Sequence, residues 1–368
     1  MSEVNTRTVR LSEAKRYIRH FMKSAQPVMI WGPPGVGKSE VVESIATDAI
    51  ANGKKAKLID MRLSMCEPTD LMGIPYFDSV ERTMRWAPPS LLPNAQDGED
   101  YDLVILFLDE LNGAAPAVQA AAYQLVLNRR VGEYVLPDNV RVVAAGNRET
   151  DKGVAYRMPK PLQNRLVHFE VRVNFDDWVD WATNNGIHPD VVGYLTSRKD
   201  DLNRFDPKSP DRSFATPRSW TFVSNMLDDV DGFSDNEVTD MVVGAIGEGT
   251  ALQFAGHRKT SALLPDPTLI LKGKIKELQT KEISAMYSLA TSLAYELREA
   301  SGLVGREIEQ ADLDGYIDNC MGFWLDHFQT EMIVMSMRMV IKYGINIPMS
   351  GKNWARFYER HGDLIREA

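Results

Sequence analysis

One octapeptide, Gly32-Pro33-Pro34-Gly35-Val36-Gly37-Lys38-Ser39, constrains this chain more than any other feature. It fits G-x-x-x-x-G-K-[S/T], follows the apolar run Pro27–Trp31 and opens a helix-like stretch over Ser39–Ala51. Strand, glycine-rich turn and helix in that order make a loop whose backbone N–H groups curl around phosphates. The helix N-terminus adds a dipole that favours negative charge. Lys38 is expected to reach the β- and γ-phosphates of a nucleotide, and the Ser39 hydroxyl to ligate Mg²⁺. Gly32, Pro33, Pro34, Gly35, Val36, Gly37, Lys38, Ser39 and Glu40 are therefore the expected nucleotide-binding residues, with ATP and Mg²⁺ as the cofactors.

The surroundings of that loop read as α/β with a parallel sheet, because short apolar runs alternate with helical patterns. The strand candidates are Pro27–Trp31, Ala56–Met61, Leu103–Leu108, Val140–Ala145 and Leu166–Val171. Several are near-continuous apolar runs, as strands covered on both faces require. The run Leu103–Leu108 ends in Asp109 and Glu110. Open α/β sheets bind ligands at the C-terminal ends of their strands, so Asp109 is the expected second Mg²⁺ ligand. Glu110 beside it is the expected general base for an attacking water. The strand candidate Ala56–Met61 between the loop and this pair leaves room for the inserted strand of the additional-strand, catalytic-glutamate class.

Two more features complete an order. Val140–Ala145 runs into Gly146-Asn147, which sets a neutral polar side chain beside the γ-phosphate position. Pro161-Leu162-Gln163-Asn164-Arg165 then precedes the last core strand. Here the chain resembles the AAA+ ATPases, and within them the MoxR branch of the AAA_5 or dynein-related type. The resemblance covers roughly Ile18 to Gln253. It implies that Asn147 is the sensor 1 residue and that Arg165 is an arginine finger serving the ATP of a neighbouring subunit. Thr216-Pro217-Arg218-Ser219-Trp220 resembles sensor 2, with Arg218 aimed at the γ-phosphate. Arg62, Arg148 and Arg157 are further candidates for a subunit interface.

The same resemblance implies a homo-oligomeric ring, a hexamer, that remodels or activates a protein client, often with a von Willebrand A-domain adaptor. It also implies two inserts pointing toward the ring's channel. One is a helix-2 insert at about 73–92, with exposed-looking Tyr76, Phe77 and Trp86; the other is a pre-sensor 1 hairpin at about 130–139. Ordinary loop packing is the alternative for those aromatics.

Three domains are expected: an α/β core over 1–173 with a five-stranded parallel sheet, a helical lid over 174–265 carrying sensor 2, and a helical C-terminal extension over 266–368. In the extension, Ile283, Met286, Ala290, Leu293 and Leu297 share one helical face. Met332, Met335 and Met339 repeat the spacing as core packing, with an adaptable docking face as the alternative.

Composition bears on the rival functions. With 42 basic against 51 acidic residues the net charge is −9, which disfavours a nucleic-acid motor without excluding a basic channel. A nucleotide-gated scaffold without turnover is the third reading, and Glu110 and Arg165 speak against it. The two cysteines, Cys66 and Cys320, lie far apart and suit a reducing compartment. The N-terminal segment has no signal-peptide pattern, and no apolar run is long enough to insert in a membrane, so a cytoplasmic location is expected.

Overall fold

The computed structural model describes residues 7–151, 156, 158–302 and 308–366. It divides into two compact units, Met1–Asp177 with Phe205–Ser209, and Trp178–Arg204 with Pro210–Ala368.

The first unit is built on a parallel sheet. Its strands are β1 (Thr8–Val9), β2 (Val28–Trp31), β3 (Ala56–Arg62), β6 (Leu103–Asp109), β9 (Val140–Gly146) and β10 (Val167–Val171), with the short pairs β4 (Ile74–Asp78) and β5 (Thr83–Ala87), and β7 (Arg130–Val131) and β8 (Tyr134–Val135), standing apart as hairpins. The sheet has six strands in the order β1-β10-β2-β9-β6-β3. The expected five are all present. The extra one is β1, which pairs Thr8 with Glu170 and Val9 with Val171 at the open edge of β10. Two residues cannot show an alternation, so the sequence pattern gave no sign of it. The inserted strand is β9, lying between β2 and β6, while β3 takes the far edge.

Side chains alternate across each strand and fill two cores. On one face Val28, Ile30, Ile105, Phe107 and Val143 meet α1 (Leu11–Lys23) and α2 (Lys38–Ala51) through Ile18, Val42 and Ile45. On the other, Met29, Leu106, Leu108, Val142 and Ala144 meet Val118, Ala122 and Leu125 of a later helix. That helix is α5 (Pro116–Asn128), preceded by the short α3 (Pro68–Met72) and α4 (Ala95–Asp100) and followed by α6 (Lys160–Gln163). Burial of β6 from Val104 to Leu108 is complete on both sides, which fixes the carboxylate pair at its end.

The second unit is helical: α7 (Phe175–Asn184, its first turn in the first unit), α8 (Pro189–Ser197), α9 (Pro217–Leu227), α10 (Asp235–Ile246), α11 (Glu248–Ser261), α12 (Pro267–Leu271), α13 (Ile283–Ala300), α14 (Gln310–His327), α15 (Thr330–Lys342) and α16 (Lys352–Arg366). The stretch from Asp235 to Phe254, which reads as one helical run, is broken by Gly247 at φ 83°. The expected lid and extension pack into a single compact unit. Helices α8 and α13 approach so closely that a Cβ on Gly193 would stand 2.1 Å from Ser288 Oγ. Tyr295 Oη donates to the Ile187 carbonyl at 2.8 Å and Tyr343 Oη to that of Thr183 at 3.0 Å, both crossing the expected 265/266 boundary.

On α13, Met286, Ala290, Leu293 and Leu297 are buried as expected, but Ile283 in the first turn is exposed. Met332 and Met339 are buried and Met335 packs against the same cluster, so the methionine stripe is core. Among the described residues no helix is long and apolar enough to cross a membrane.

Candidate nucleotide site

The loop after β2 takes its shape from its glycines. Gly35 and Gly37 sit at φ 74° and 96°, where a side chain is strained. A Cβ on Gly32 would lie 2.7 Å from Val171 Cγ2, so the loop's first residue must be small for β10 to pass. Lys38, the first residue of α2, is buried. Its ammonium donates to the carbonyls of Gly32 (2.8 Å) and Pro33 (2.9 Å) and to Asn147 Oδ1 (3.0 Å). An ammonium has three protons to give, and here three acceptors converge on it. Glu40 lies exposed in the first turn of α2, where negative charge is favoured.

Ser39 Oγ donates to Asp109 Oδ2 at 3.3 Å. A hydroxyl and a carboxylate oxygen this close form a hard, all-oxygen donor set that fits Mg²⁺. Burial, the charge of Asp109 and that of Glu43 push the Asp60 carboxyl upward, with Arg62 opposing.

Glu110 adopts φ 54°, ψ 36°, a left-handed conformation costing a non-glycine residue about 1–2 kcal/mol. Its N–H donates to Asp109 Oδ1 at 2.8 Å, and the Ser64 hydroxyl donates to its Oε2. The strain turns Glu110 out of the strand line. Asn147 is held from behind: Asn112 Nδ2 donates to its carbonyl at 2.7 Å. Gly146 permits this, since a Cβ there would stand 2.3 Å from Asn112 Oδ1.

Lys38, Ser39, Asp109, Glu110 and Asn147 therefore meet at the C-terminal ends of three neighbouring strands, β2, β9 and β6. Over residues 27–166 the sequence matches the AAA domain, dynein-related subfamily. The segment is an AAA domain of the dynein-related kind.

Beyond that segment, well under half of the chain, similarity is thin. The chain is 27% identical over 194 residues to midasin of Giardia intestinalis, a stretch that takes in 50% of this chain and 4% of that protein's length. Among solved structures, NtrX from Brucella abortus in complex with ATP aligns at a TM-score of 0.38 and 14% identity, covering 94% of this chain and 70% of that one. A protein of Cytophaga hutchinsonii described as a candidate ATPase aligns at 0.33 and 13%, covering 92% and 90%. Similarity this low carries no functional weight.

Within the AAA domain, Arg165 follows α6 on the approach to β10, exposed, and its side chain has no ion pair or hydrogen bond among the described residues. Arg148 is committed within its own chain, to Asp151 at 2.9 Å and Glu170 at 3.4 Å. Arg62 is exposed opposite Asp109 in the sheet register, and Arg157 lies outside the described residues. Arg218 belongs to the second unit, where it is exposed on the first turn of α9. A reciprocal cap starts that helix, with Thr216 N donating to Ser219 Oγ at 2.8 Å and Ser219 N to Thr216 Oγ1 at 3.1 Å.

Both expected inserts of the domain contain hairpins, at β4–β5 and β7–β8. Tyr76 and Phe77 are exposed as expected, whereas Trp86 is half-buried. The hairpins touch through Arg85, whose Nε lies 3.6 Å from Glu133 Oε2. Sequence reasoning missed Ser64 and Asn112. Neither lies in a motif, and only their distant partners give them a role.

Proposed function

We propose that the chain is a Mg²⁺-dependent ATPase of MoxR type that assembles into a ring, a hexamer, and spends ATP on remodelling or activating a protein client. The convergence of Lys38 on Asn147, with Ser39 on Asp109 beside it, carries this reading.

Lys38 exchanges its carbonyl partners for phosphate oxygens, which places positive charge where the transferring phosphoryl group needs it. Ser39 and Asp109 hold Mg²⁺, which when bound neutralises charge on the phosphates. Glu110 accepts a proton from the attacking water through its carboxylate. Asn147 orients polar groups at the γ-phosphate. Arg165, with no partner of its own among the described residues, acts on the ATP of a neighbour, and Arg218 has the role of sensor 2.

A protein client is favoured over nucleic acid by the chemistry of the hairpins. Ile74, Phe77, Val80 and Met84 are exposed there. Of their cations, Arg85 is engaged with Glu81 at 3.3 Å and Glu133 at 3.6 Å and Arg130 with the Gly132 carbonyl at 3.0 Å, while Arg82 is exposed at the β4–β5 turn. A cluster of exposed apolar side chains this size suits polypeptide. The test is phosphate release with ATP and Mg²⁺, measured alone, with a von Willebrand A-domain protein and with DNA or RNA. Stimulation by the A-domain protein supports the reading; stimulation by nucleic acid alone, or no turnover, contradicts it.

A further inference from the structure

The strand that leads into the phosphate loop and the segment that carries Arg165 are joined by a side-chain bridge. Trp31, directly before Gly32, donates its indole Nε1–H to His168 Nδ1 at 2.9 Å. The two rings lie nearly parallel, 19° apart with centroids at 6.0 Å. On its other side His168 Nε2 lies 2.7 Å from the Gln163 carbonyl oxygen. An indole N–H can only donate and a carbonyl can only accept. In this arrangement His168 accepts at Nδ1 and donates from Nε2, relaying one hydrogen bond from β2 to the backbone two residues before Arg165.

The segment thus gripped lies between Leu162 and Leu166, both buried in the core, and the Val167 N–H donates to the Pro27 carbonyl at 3.0 Å. Gln163 Nε2 donates to the Met158 carbonyl at 3.1 Å, and the Arg165 N–H to that of Leu162 at 3.1 Å. A second tie runs parallel to the first. Arg148, directly after Asn147, reaches Glu170 on the same face of β10 as His168. At the other end of the bridge, the Gly32 and Pro33 carbonyls hold the Lys38 ammonium. A phosphate competes for that ammonium, so nucleotide binding rebonds the backbone one residue from Trp31.

We propose that Trp31 and His168 are positioning residues that couple the state of a subunit's own phosphate loop to the position of the arginine it offers its neighbour. The coupling rests on the reading of Arg165 as a finger acting between subunits. It gives each subunit a route, through one imidazole, to report its nucleotide to the next site around the ring. Like any coupling, it needs an element whose arrangement both sites bias, and the proposal assigns that part to the Gln163–Arg165 turn.

The experiment uses the full chain with Trp31→Phe, His168→Phe and the double variant. Trp31→Phe keeps an aromatic ring beside His168 and removes the donor, so it carries the test if His168→Phe does not fold. Amide hydrogen exchange of residues 160–166 is compared with ADP and with a non-hydrolysable ATP analogue, alongside kcat and KM. In the unaltered chain exchange is expected to differ between the two nucleotides; in the variants the difference is lost. The kcat falls about three- to tenfold, the scale of one net hydrogen bond, with KM unchanged and the double variant no worse than either single one. Retained nucleotide dependence of exchange in Trp31→Phe overturns the coupling, as do losses that add in the double variant. Arg165→Ala separates the two ideas. If it stays fully active, the finger reading and the coupling both fail. If it is inactive while Trp31→Phe responds as the unaltered chain does, the coupling alone fails.

Discussion

The Lys38 ammonium donates to Asn147 Oδ1 at 3.0 Å, joining residues 109 positions apart in the chain. The bond exists because β9 is threaded between β2 and β6, which brings the end of the inserted strand beside the phosphate loop. Charge and neutral polar group then face the same small volume. Asp109 and Glu110 border it from the next strand.

Two of the charged groups at this site, Lys38 and Glu110, are expected to fail differently when removed. Lys38 contacts phosphate in the ground state, whereas Glu110 matters only as water attacks. Lys38→Ala is expected to lose ATP binding, and Glu110→Gln to bind ATP while hydrolysing it about 10²–10⁴-fold more slowly. Equilibrium binding and phosphate release measured together check this. Normal turnover by Glu110→Gln removes it from the base role.

Gly146 is a packing prediction. A methyl group there would press on Asn112 Oδ1 at 2.3 Å and on Met29 Cε at 2.7 Å. Gly146→Ala is expected to destabilise the first unit by about 1–3 kcal/mol, as overpacked cores do, and to disturb the Asn112–Asn147 bond. Chemical denaturation reads the first effect and ATP affinity the second. An unchanged denaturation midpoint contradicts the close contact.

Much of the first unit was legible because its signals are local. The phosphate loop, the apolar runs of β2, β6 and β9 and the carboxylates after β6 all lie in short contiguous stretches. What escaped was set by tertiary contact. Strand β1 exists because β10 leaves an edge to pair, and Thr8-Val9 alone carries no pattern. Ser64 and Asn112 act only through Glu110 and Asn147, which are far from them in sequence. The helical half was legible as helices but not as one body, because Gly193 and Ser288 show their closeness only once α8 and α13 are packed.

Exposure separates the hairpin aromatics. Phe77→Ala and Met84→Ala remove exposed groups and are expected to cost no more than about 0.5 kcal/mol, while any client-stimulated ATP hydrolysis falls. Trp86→Ala, half-buried, is expected to destabilise the hairpin more. Unfolding of Phe77→Ala would favour the ordinary packing role.

Stability of the second unit is expected to fall in acid because of His257. Burial holds this imidazole below its ordinary value of 6.5, against the opposing charges of Asp190 and Glu282. The folded chain keeps it neutral where the unfolded chain takes up a proton. Its contribution is therefore complete above 6.5 and is lost as the pH falls from there toward the lowered folded value. His188 is shifted the same way, also mainly by burial. Thermal unfolding followed across that range is expected to show a steeper loss for the unaltered chain than for His257→Gln. Parallel slopes contradict the assignment.

The central claim is that each ATP site is shared between subunits, and mixing two inactive variants tests it most directly. Arg165→Ala keeps an intact phosphate loop, and Lys38→Ala keeps an intact arginine. An arginine finger is worth about 10³–10⁵ in rate, so each variant alone is expected to be inactive, with Arg165→Ala still binding ATP. Rings mixed from the two contain some interfaces that pair an intact loop with an intact arginine, and ATP hydrolysis is expected to return in part. If the mixture remains inactive although the variants co-assemble, Arg165 does not serve a neighbour and the shared site is wrong.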